Sequence, residues 1–349
     1  MNLLVTGGCG FIGANFIRFL LDQPDFTGRI VNVDRLTYAG NPENLAGIEK
    51  THTERYAFIK ADICDRDIMA RVFDDYSIDS VCHFAAESHV DRSIVSPDAF
   101  IKTNINGTFI LLEICREMGG GGLRFHHIST DEVYGSLGKT GYFREDTPYQ
   151  PSSPYSASKA ASDHLVRAYH TTYGLPATIS NCSNNYGPFQ FPEKLIPLMI
   201  CNALEGKPLP VYGDGKNVRD WLYVTDHCRA IWEIIKNGRP GETYNIGGNC
   251  EMENIRLVEI ICDTLDQITG LLPKDTPRKS LITFVKDRPG HDRRYAIDAA
   301  KIKEKLGWAP ATSIETGIRS TIKWYLDNSG WVERVKSGAY RSWIQQQYQ

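Results

Sequence analysis

Apolar residues in the first half of the chain fall into short runs separated by segments of helical period. Asn2 to Val5 is a β-prone run that meets a glycine turn, and Ala14 to Leu21 then repeats its apolar positions at helical spacing. The chain therefore opens as strand, loop, helix. Further strands are predicted at Ile30 to Val33, Tyr56 to Lys60, Ser80 to Phe84 and Arg124 to Ile128. They end in polar or small residues: Asp34, Asp62, Ala85 with Ala86, and Ser129 with Thr130. Helical patterns lie between them, including Asp98 to Met118, for which Gly119 to Gly122 reads as a stop. Such alternation predicts an α/β fold of Rossmann type. A doubly wound parallel sheet is covered by helices on both faces, and ligands bind where the strands end.

After about Tyr186 the rhythm changes. Prolines punctuate Pro188 to Pro210, Val211 to Asp220 is rich in turn formers, and a strand at Thr243 to Ile246 precedes a mixed final third. This predicts a dinucleotide-binding domain at 1–185, joined by about 221–248. About 186–220 and 249–349 would form a smaller mixed α/β C-terminal domain for the substrate. The 349 residues suffice for both, and neither a repeat nor a low-complexity tract interrupts them.

A net charge of −3 gives no field that gathers nucleic acid or anionic lipid, so the expected partners are small molecules, with no nucleic acid and no membrane. Nine cysteines (9, 64, 82, 115, 182, 201, 228, 250 and 262) lie apart without a C-x-x-C pair, as reduced thiols do. No run is long and apolar enough to span a bilayer, and the chain enters its first strand without a leader-like segment. A cytoplasmic protein is the default expectation from these features. His83, His89, His126 and His127 show no metal-ligand spacing and read as structural, so no metal is expected.

Thr6 to Gly13 reads T-G-G-C-G-F-I-G. Gly7, Gly10 and Gly13 permit positive φ, close approach of backbone N–H groups to a pyrophosphate, and tight packing of helix on strand. Phe11 and Ile12 open the helix, whose positive end faces the phosphates. Any tight turn uses glycine, but this one follows a strand, opens a helix and has an acid downstream. That acid, Asp34, suits the adenosine ribose and repels a 2′-phosphate, favouring NAD over NADP. Arg35 points the other way, since an arginine can attract that phosphate. Asp62 and Ile63 would bracket the adenine.

Tyr155 and Lys159 follow Pro154, a residue suited to a helix start, and their i to i+4 spacing puts phenol and ammonium on one face. A nearby cation lowers a phenol's pKa, which would let Tyr155 remove a proton from a substrate hydroxyl. The same spacing occurs on ordinary amphipathic helices. With the glycine loop in the same chain, it resembles the extended short-chain dehydrogenase/reductase family, which carries T-G-G-x-G-F-I-G and Y-x-x-x-K and acts mostly on nucleotide sugars. Within that family S-T-D-E-V-Y-G, from Ser129 to Gly135, is similar to the signature of the dTDP-glucose 4,6-dehydratases. A-A-E-S-H-V-D-R-S (85–93), S-P-Y-S-A-S-K (153–159), N-C-S-N-N-Y-G-P (181–188), F-P-E-K-L-I-P-L (191–198), R-D-W-L-Y-V (219–224) and D-R-P-G-H-D-R-R-Y (287–295) extend the likeness over nearly the whole chain.

The resemblance implies a reaction in three steps. Tyr155, helped by Lys159, takes the C4 hydroxyl proton while hydride passes to NAD, and Thr130 orients that hydroxyl. Glu132 removes the C5 proton while a protonated Asp131 donates to the departing C6 hydroxyl. Hydride then returns to C6, so the product is a 4-keto-6-deoxy sugar for deoxysugar biosynthesis and NAD stays tightly bound. Ala85, Ala86, Thr103 and Asn185 would join the cofactor site. Glu87 and Ser88 would lie beside the glucosyl ring, and Asn184, Arg219 and Arg288 to His291 would hold the diphosphate and ribose. Lys194, Leu195, Asn254 and the segment from Lys207 to Tyr212 complete the substrate set, whereas Arg293 and Arg294 read as surface ion pairs. The stretch from Gly135 to Pro148 is shorter than in some relatives.

A homodimer through the 98–118 and 155–173 helices is expected. Readings that share the glycine loop, Tyr155 and Lys159 are a UDP- or CDP-glucose dehydratase and a nucleotide-sugar 4-epimerase. The epimerase needs neither Asp131 nor Glu132. A non-catalytic dinucleotide-binding regulator would not need the five-residue set at all.

Overall fold

The computed structural model describes residues 1–118, 122–287 and 291–337. Its strands are β1 (Asn2–Thr6), β2 (Arg29–Asp34), β3 (Tyr56–Lys60), β4 (Ser80–His83), β5 (Arg124–Thr130), β6 (Ala177–Cys182), β7 (Asn184–Tyr186), β8 (Leu209–Tyr212), β9 (Val218–Tyr223), β10 (Thr243–Ile246), β11 (Glu251–Glu253) and β12 (Ile282–Val285). Seven of them form a parallel sheet in the order β10-β6-β5-β4-β1-β2-β3. The chain winds outward from β1 through β2 to β3, then crosses back to β4, so the order reverses between β1 and β4. That reversal opens a crevice at the carboxyl ends. Register brings Thr6 beside Val33 and His83, His83 beside His127, and Thr130 beside Cys182.

Helices cover both faces, which is why the strands read as nearly continuous apolar runs. On one face Met69, Phe73, Leu111, Ile114 and Val166, from the helices Arg66–Asp75, Thr108–Met118 and Pro154–Tyr173, pack on Leu4, Val31 and Val81. On the other, Phe16, Ile17 and Leu20 of Phe11–Leu21 and Ile231 and Trp232 of Val224–Asn237 pack on Leu3, Val5 and Ile30.

The remaining strands form a three-stranded sheet, β11-β9-β7, and a parallel pair, β12-β8. They share a core with the helices Leu195–Leu204, Asn254–Thr269 and Ile314–Asp327, built on Tyr186, Leu257, Ile261, Ile318 and Trp331. Trp331 donates its indole N–H to Asn44 at 2.9 Å, tying this region back to the first.

Three sequence expectations change. β6 has no counterpart among the predicted strands because its buried positions include Ser180 and Asn181, which interrupt the apolar pattern. The stretch from Asp98 to Met118 is helical throughout but not uniformly α: Ile101–Gly107 widens into a π-helix between Asp98–Phe100 and Thr108–Met118. Asn184 and Asn185, placed by the sequence in the first domain, lie on β7 in the three-stranded sheet. Of the glycine stop after Met118, Gly119 to Gly121 lie outside the described residues.

Candidate active site

A cleft of about 310 Å³, open to solvent, runs along the carboxyl ends of the parallel strands. Gly7, Gly10, Phe11, Ile12 and Gly13 form one wall. Gly7 has φ +71°, and a Cβ there would lie 2.7 Å from the Ala85 backbone; a Cβ on Gly13 would lie 2.5 Å from the Gly7 carbonyl oxygen. The Phe11–Leu21 helix begins at Gly10 without a side-chain cap, which leaves its first N–H groups for an anion. A cradle that a side chain would fill, at an uncapped helix start, fits a dinucleotide pyrophosphate.

Asp34, nearly buried at the end of β2, accepts the Cys9 N–H at 2.9 Å and the Leu36 N–H at 2.7 Å. Burial raises its carboxyl pKa, and those two hydrogen bonds oppose the rise. The Arg35 guanidinium, which also lines the cleft, reaches Asp62 at 3.2 Å. Asp62, Ile63, Ala85, Ala86 and Thr103 line the cleft farther along, and Asn185 lines its far wall with its side chain on His227 at 2.9 Å.

Ser153 caps the Pro154–Tyr173 helix through a reciprocal capping box with Ser156 and so sets the phase of Tyr155 and Lys159. Both side chains are buried. The Lys159 ammonium donates to the Ile128 carbonyl at 2.7 Å and lies 3.2 Å from His127 Nε2. Burial lowers its pKa to about 8, with Asp163 opposing. The Tyr155 hydroxyl does not show the lowered pKa expected from the sequence. Burial and then the Glu132 charge push it well above the ordinary tyrosine value, while the Lys159 ammonium is hydrogen-bonded to the Ile128 carbonyl.

Thr130 ends β5 and caps the single 3₁₀ turn Asp131–Tyr134, accepting the Glu132 N–H at 3.3 Å. Its hydroxyl also donates to Asp131 Oδ1 at 3.4 Å, and Tyr155 lines the same cleft. Asp131 is 2 % exposed, and its Oδ2 is buried without a hydrogen-bond partner. Burial, Glu132 and Asp220 push its carboxyl well above the usual range, while Arg219 opposes them. Glu132 is half-buried and, with Thr130 and Asp131, lines the cleft.

On the substrate side Glu87, Ser88, Asn184 and Lys194 line the same cleft. Asn104, from the π-helix, holds the Glu87 backbone by accepting its N–H at 2.8 Å and donating to its carbonyl at 3.0 Å; Lys194 donates to the Ser88 carbonyl at 3.2 Å. Arg219 is buried on β9, stacks over the Tyr295 ring at 4.2 Å and donates to the Asp292 carbonyl at 3.0 Å. Asn254 starts its helix beside Asn217, its Oδ1 buried without a partner. Tyr212 meets the His291 ring edge-on at 6.0 Å, and His291 bonds Asp287 at 2.6 Å.

Six predicted substrate residues, Leu195, Lys207, Tyr212, Arg219, Asn254 and His291, do not line this cleft. Leu195 packs its side chain on the second core, and the exposed Lys207 ammonium pairs with Glu205 at 2.6 Å. Arg288 lies outside the described residues. Arg293 and Arg294 pair with Asp214 and Glu251.

The cleft also includes Cys182, Ser183, Gln190 and Glu193, which sequence reading did not single out. Cys182, Ser183 and Glu193 stand inside motifs that had been recognised, so a signal was present; Gln190 lies between two of them and had none. The histidines are internal linkers: His83 bridges Thr6 and Thr108, His126 bridges Thr178 and Ser180, and His127 lies 3.3 Å from Asp163. Among the described residues no group of three or more His, Cys, Asp or Glu side chains could hold a metal ion.

A glycine cradle on the first strand, with a tyrosine and a lysine one helical turn apart at the sheet's switch point, defines an enzyme of the extended short-chain dehydrogenase/reductase class. Residues 4–321 match the GDP-mannose 4,6 dehydratase family, and the chain belongs to it. It is 56% identical to dTDP-glucose 4,6-dehydratase 1 of Escherichia coli K12, over 100% of this chain and 99% of that protein. It is 57% identical to dTDP-glucose 4,6-dehydratase of Xanthomonas campestris pv. campestris strain B100, over 97% of each. Among solved structures it is similar to dTDP-glucose 4,6-dehydratase of Streptomyces venezuelae with NAD bound, at a TM-score of 0.89 and 46% identity over 96% of this chain and 100% of that one. UDP-glucose 4-epimerase of Thermotoga maritima shares the fold at a TM-score of 0.82 and 31% identity, over 94% of this chain and 100% of that one.

Proposed function

We propose that this protein converts dTDP-glucose to dTDP-4-keto-6-deoxyglucose and water, with NAD as its resident cofactor. The observation that carries the reading beyond the family is the Asp131–Glu132 pair. One carboxyl is buried, pushed well above the usual carboxylate range and left with a bare oxygen, and its neighbour is more exposed at the same cleft. Epimerisation at C4 has no use for such a pair, and a non-catalytic regulator has none for the full set.

Gly7, Gly10, Phe11, Ile12 and Gly13 hold the pyrophosphate and Asp34 the adenosine ribose, with Asp62, Ile63, Ala85, Ala86, Thr103 and Asn185 along the rest of the site. When bound, NAD accepts hydride from C4 and returns it to C6, and its oxidised ring favours an anion nearby. Thr130 positions the C4 hydroxyl, Tyr155 takes its proton, and Lys159 supplies the supporting charge. Glu132 removes the C5 proton, made acidic by the C4 ketone, and later gives it back to C5. Asp131 donates from Oδ2 to the departing C6 hydroxyl. Arg219, Asn254, Tyr212 and His291 take the nucleoside diphosphate, while Glu87, Ser88, Asn184 and Lys194 take the sugar. Arginine suits the diphosphate because its forked donors match paired oxygens.

The 1–185 and 221–248 segments carry the cofactor site, the catalytic residues and part of the sugar site, and 186–220 with 249–349 carry the nucleoside diphosphate contacts. A homodimer is supported by the exposed apolar side chains of Val95, Ile101 and Phe109, which cluster on and just before the 98–118 helices. The nine free thiols support a reducing, cytoplasmic setting. Purified protein incubated with dTDP-glucose should give a 4-keto-6-deoxy product, detected by its absorbance in alkali. Clean formation of dTDP-galactose instead would establish the epimerase. Competition between dTDP- and UDP-glucose measures the base preference, for which one methyl group is worth about 1–3 kcal/mol.

A further inference from the structure

Tyr155, Lys159 and Asp163 follow one another at four-residue intervals on the buried face of the Pro154–Tyr173 helix. The reaction proposed above uses the first two. Asp163 is fully buried, and a carboxylate cut off from water must find its partners inside the protein.

Its two oxygens meet different surroundings. Oδ2 accepts from the Tyr149 hydroxyl at 2.8 Å, the Ser129 hydroxyl at 2.9 Å and the Asn181 amide at 3.4 Å. Three donors on one oxygen suit an ionised carboxylate. Oδ1 accepts no hydrogen bond and lies 3.3 Å from His127 Nε2, and the same ring nitrogen is 3.2 Å from the Lys159 ammonium. An ammonium only donates, so Nε2 accepts from it, and the proton of the neutral ring sits on Nδ1, which has no other partner. From this geometry we infer that His127 and Asp163 are positioning residues for the oxidation step, His127 as the acceptor that fixes the Lys159 ammonium and Asp163 as the buried counter-charge that keeps it an ammonium.

The other ionisable groups around Lys159 do not take this task. Burial keeps His83 on β4 neutral and pushes the Cys182 thiol on β6 up to about 12. It also raises Tyr155 and Asp131, and the Glu132 charge bears on both of them. Arg167, a cation farther along the same helix, donates to the Tyr149 hydroxyl at 2.7 Å. Burial lowers the Lys159 pKa to about 8, and Asp163 leads the groups that oppose it. Burial works against the Asp163 charge too, but His127, Lys159 and Ser129 hold that carboxyl below the usual range. The imidazole between them stays neutral, pushed down by burial to about 4. The inference rests on the oxidation step of the proposed function, which the dehydratase and epimerase readings share.

The test follows reduction of bound NAD by dTDP-glucose in stopped flow across pH, using holoenzyme whose circular dichroism establishes folding. The unchanged protein should show an inflection at about pH 8, where Lys159 exchanges its proton. Asp163→Asn keeps the shape and removes the charge, and should move that inflection lower by about one pH unit or more. Asp163→Glu keeps the charge and should leave the inflection in place. If Asp163→Asn lowers the rate equally at every pH, or Asp163→Glu moves the inflection as far, the carboxylate is only structural and the inference is wrong. Should Asp163→Asn not fold, His127 decides. A phenylalanine suits that site, where the ring already stands 5.3 Å from His83 and 6.5 Å from Phe125. His127→Phe should move the inflection lower, and His127→Gln, whose amide oxygen accepts from the ammonium, should return it; an unmoved inflection in His127→Phe overturns the inference. Reduction of NAD by the unchanged protein without a 4-keto-6-deoxy product rejects the dehydratase reading and leaves this comparison intact, whereas no reduction at all rejects both.

Discussion

Asp131 and Glu132 are neighbours in sequence that meet different surroundings. The 3₁₀ turn after β5 puts Asp131 inward, where burial raises its carboxyl pKa, and leaves Glu132 half-buried at the cleft. Two like groups thereby acquire opposite tasks. In Glu132→Gln, reduction of bound NAD by dTDP-glucose should persist, visible as the near-ultraviolet absorbance of reduced nicotinamide, while water loss falls about 10²- to 10⁴-fold. Asp131→Asn should behave similarly but retain exchange of the C5 hydrogen with solvent deuterium, which the glutamine variant loses. Equal loss of NAD reduction and dehydration in both variants would contradict the division of roles. The motif around these residues was legible in the sequence, but the burial that distinguishes them was not.

At the scale of elements, the Pro154–Tyr173 helix shows how a cap reaches the chemistry. Ser153 and Ser156 satisfy each other's backbone N–H groups and fix where the first turn begins, with Tyr155 inside that turn. Ser153→Ala should cost about 1 kcal/mol in urea unfolding. It should lower kcat more than it raises KM, because the phenol rather than the substrate-binding residues shifts. An unchanged kcat would show that packing alone, including the Phe100 ring edge on Tyr155, positions the helix. Pro154 announced this helix start in the sequence. The π-helix at Ile101–Gly107 had no comparable announcement: its apolar and polar residues suit α-helix equally well, and only contact with Glu87 through Asn104 gives the wider turns their consequence.

For the whole molecule, buried neutral histidines make stability depend on pH. Burial pushes His126 and His227 down to about 3 and His127 to about 4. The unfolded chain takes up these protons near pH 6.5, whereas the folded chain takes them up only at the lower values. Their contribution is therefore complete above about pH 6.5 and is lost as pH falls toward 4 and 3, by about 1.4 kcal/mol per pH unit for each histidine. The raised carboxyls of Asp131, Asp220, Glu87 and Glu193 work in the opposite sense. His126→Gln isolates one histidine: between pH 6.5 and 4 its urea stability should decline less steeply than that of the unchanged protein, by about 1.4 kcal/mol per unit. Parallel slopes would mean that folded His126 already binds its proton in that range.

The sequence by itself determined the alternation of strands and helices, the glycine loop, the Tyr155–Lys159 pair and the acidic pair after β5. Each is local, fixed by neighbours within a turn or two, and so can be read from spacing. Tertiary structure decided what depends on distant partners. It turned Arg35 to Asp62, hydrogen-bonded Lys159 to the Ile128 carbonyl, kept Lys207 out of the cleft, and inserted the polar β6 into the main sheet. The physical reason is desolvation: burial, which only the assembled layers create, decides which charges survive, which protons stay and which polar strand is worth pairing.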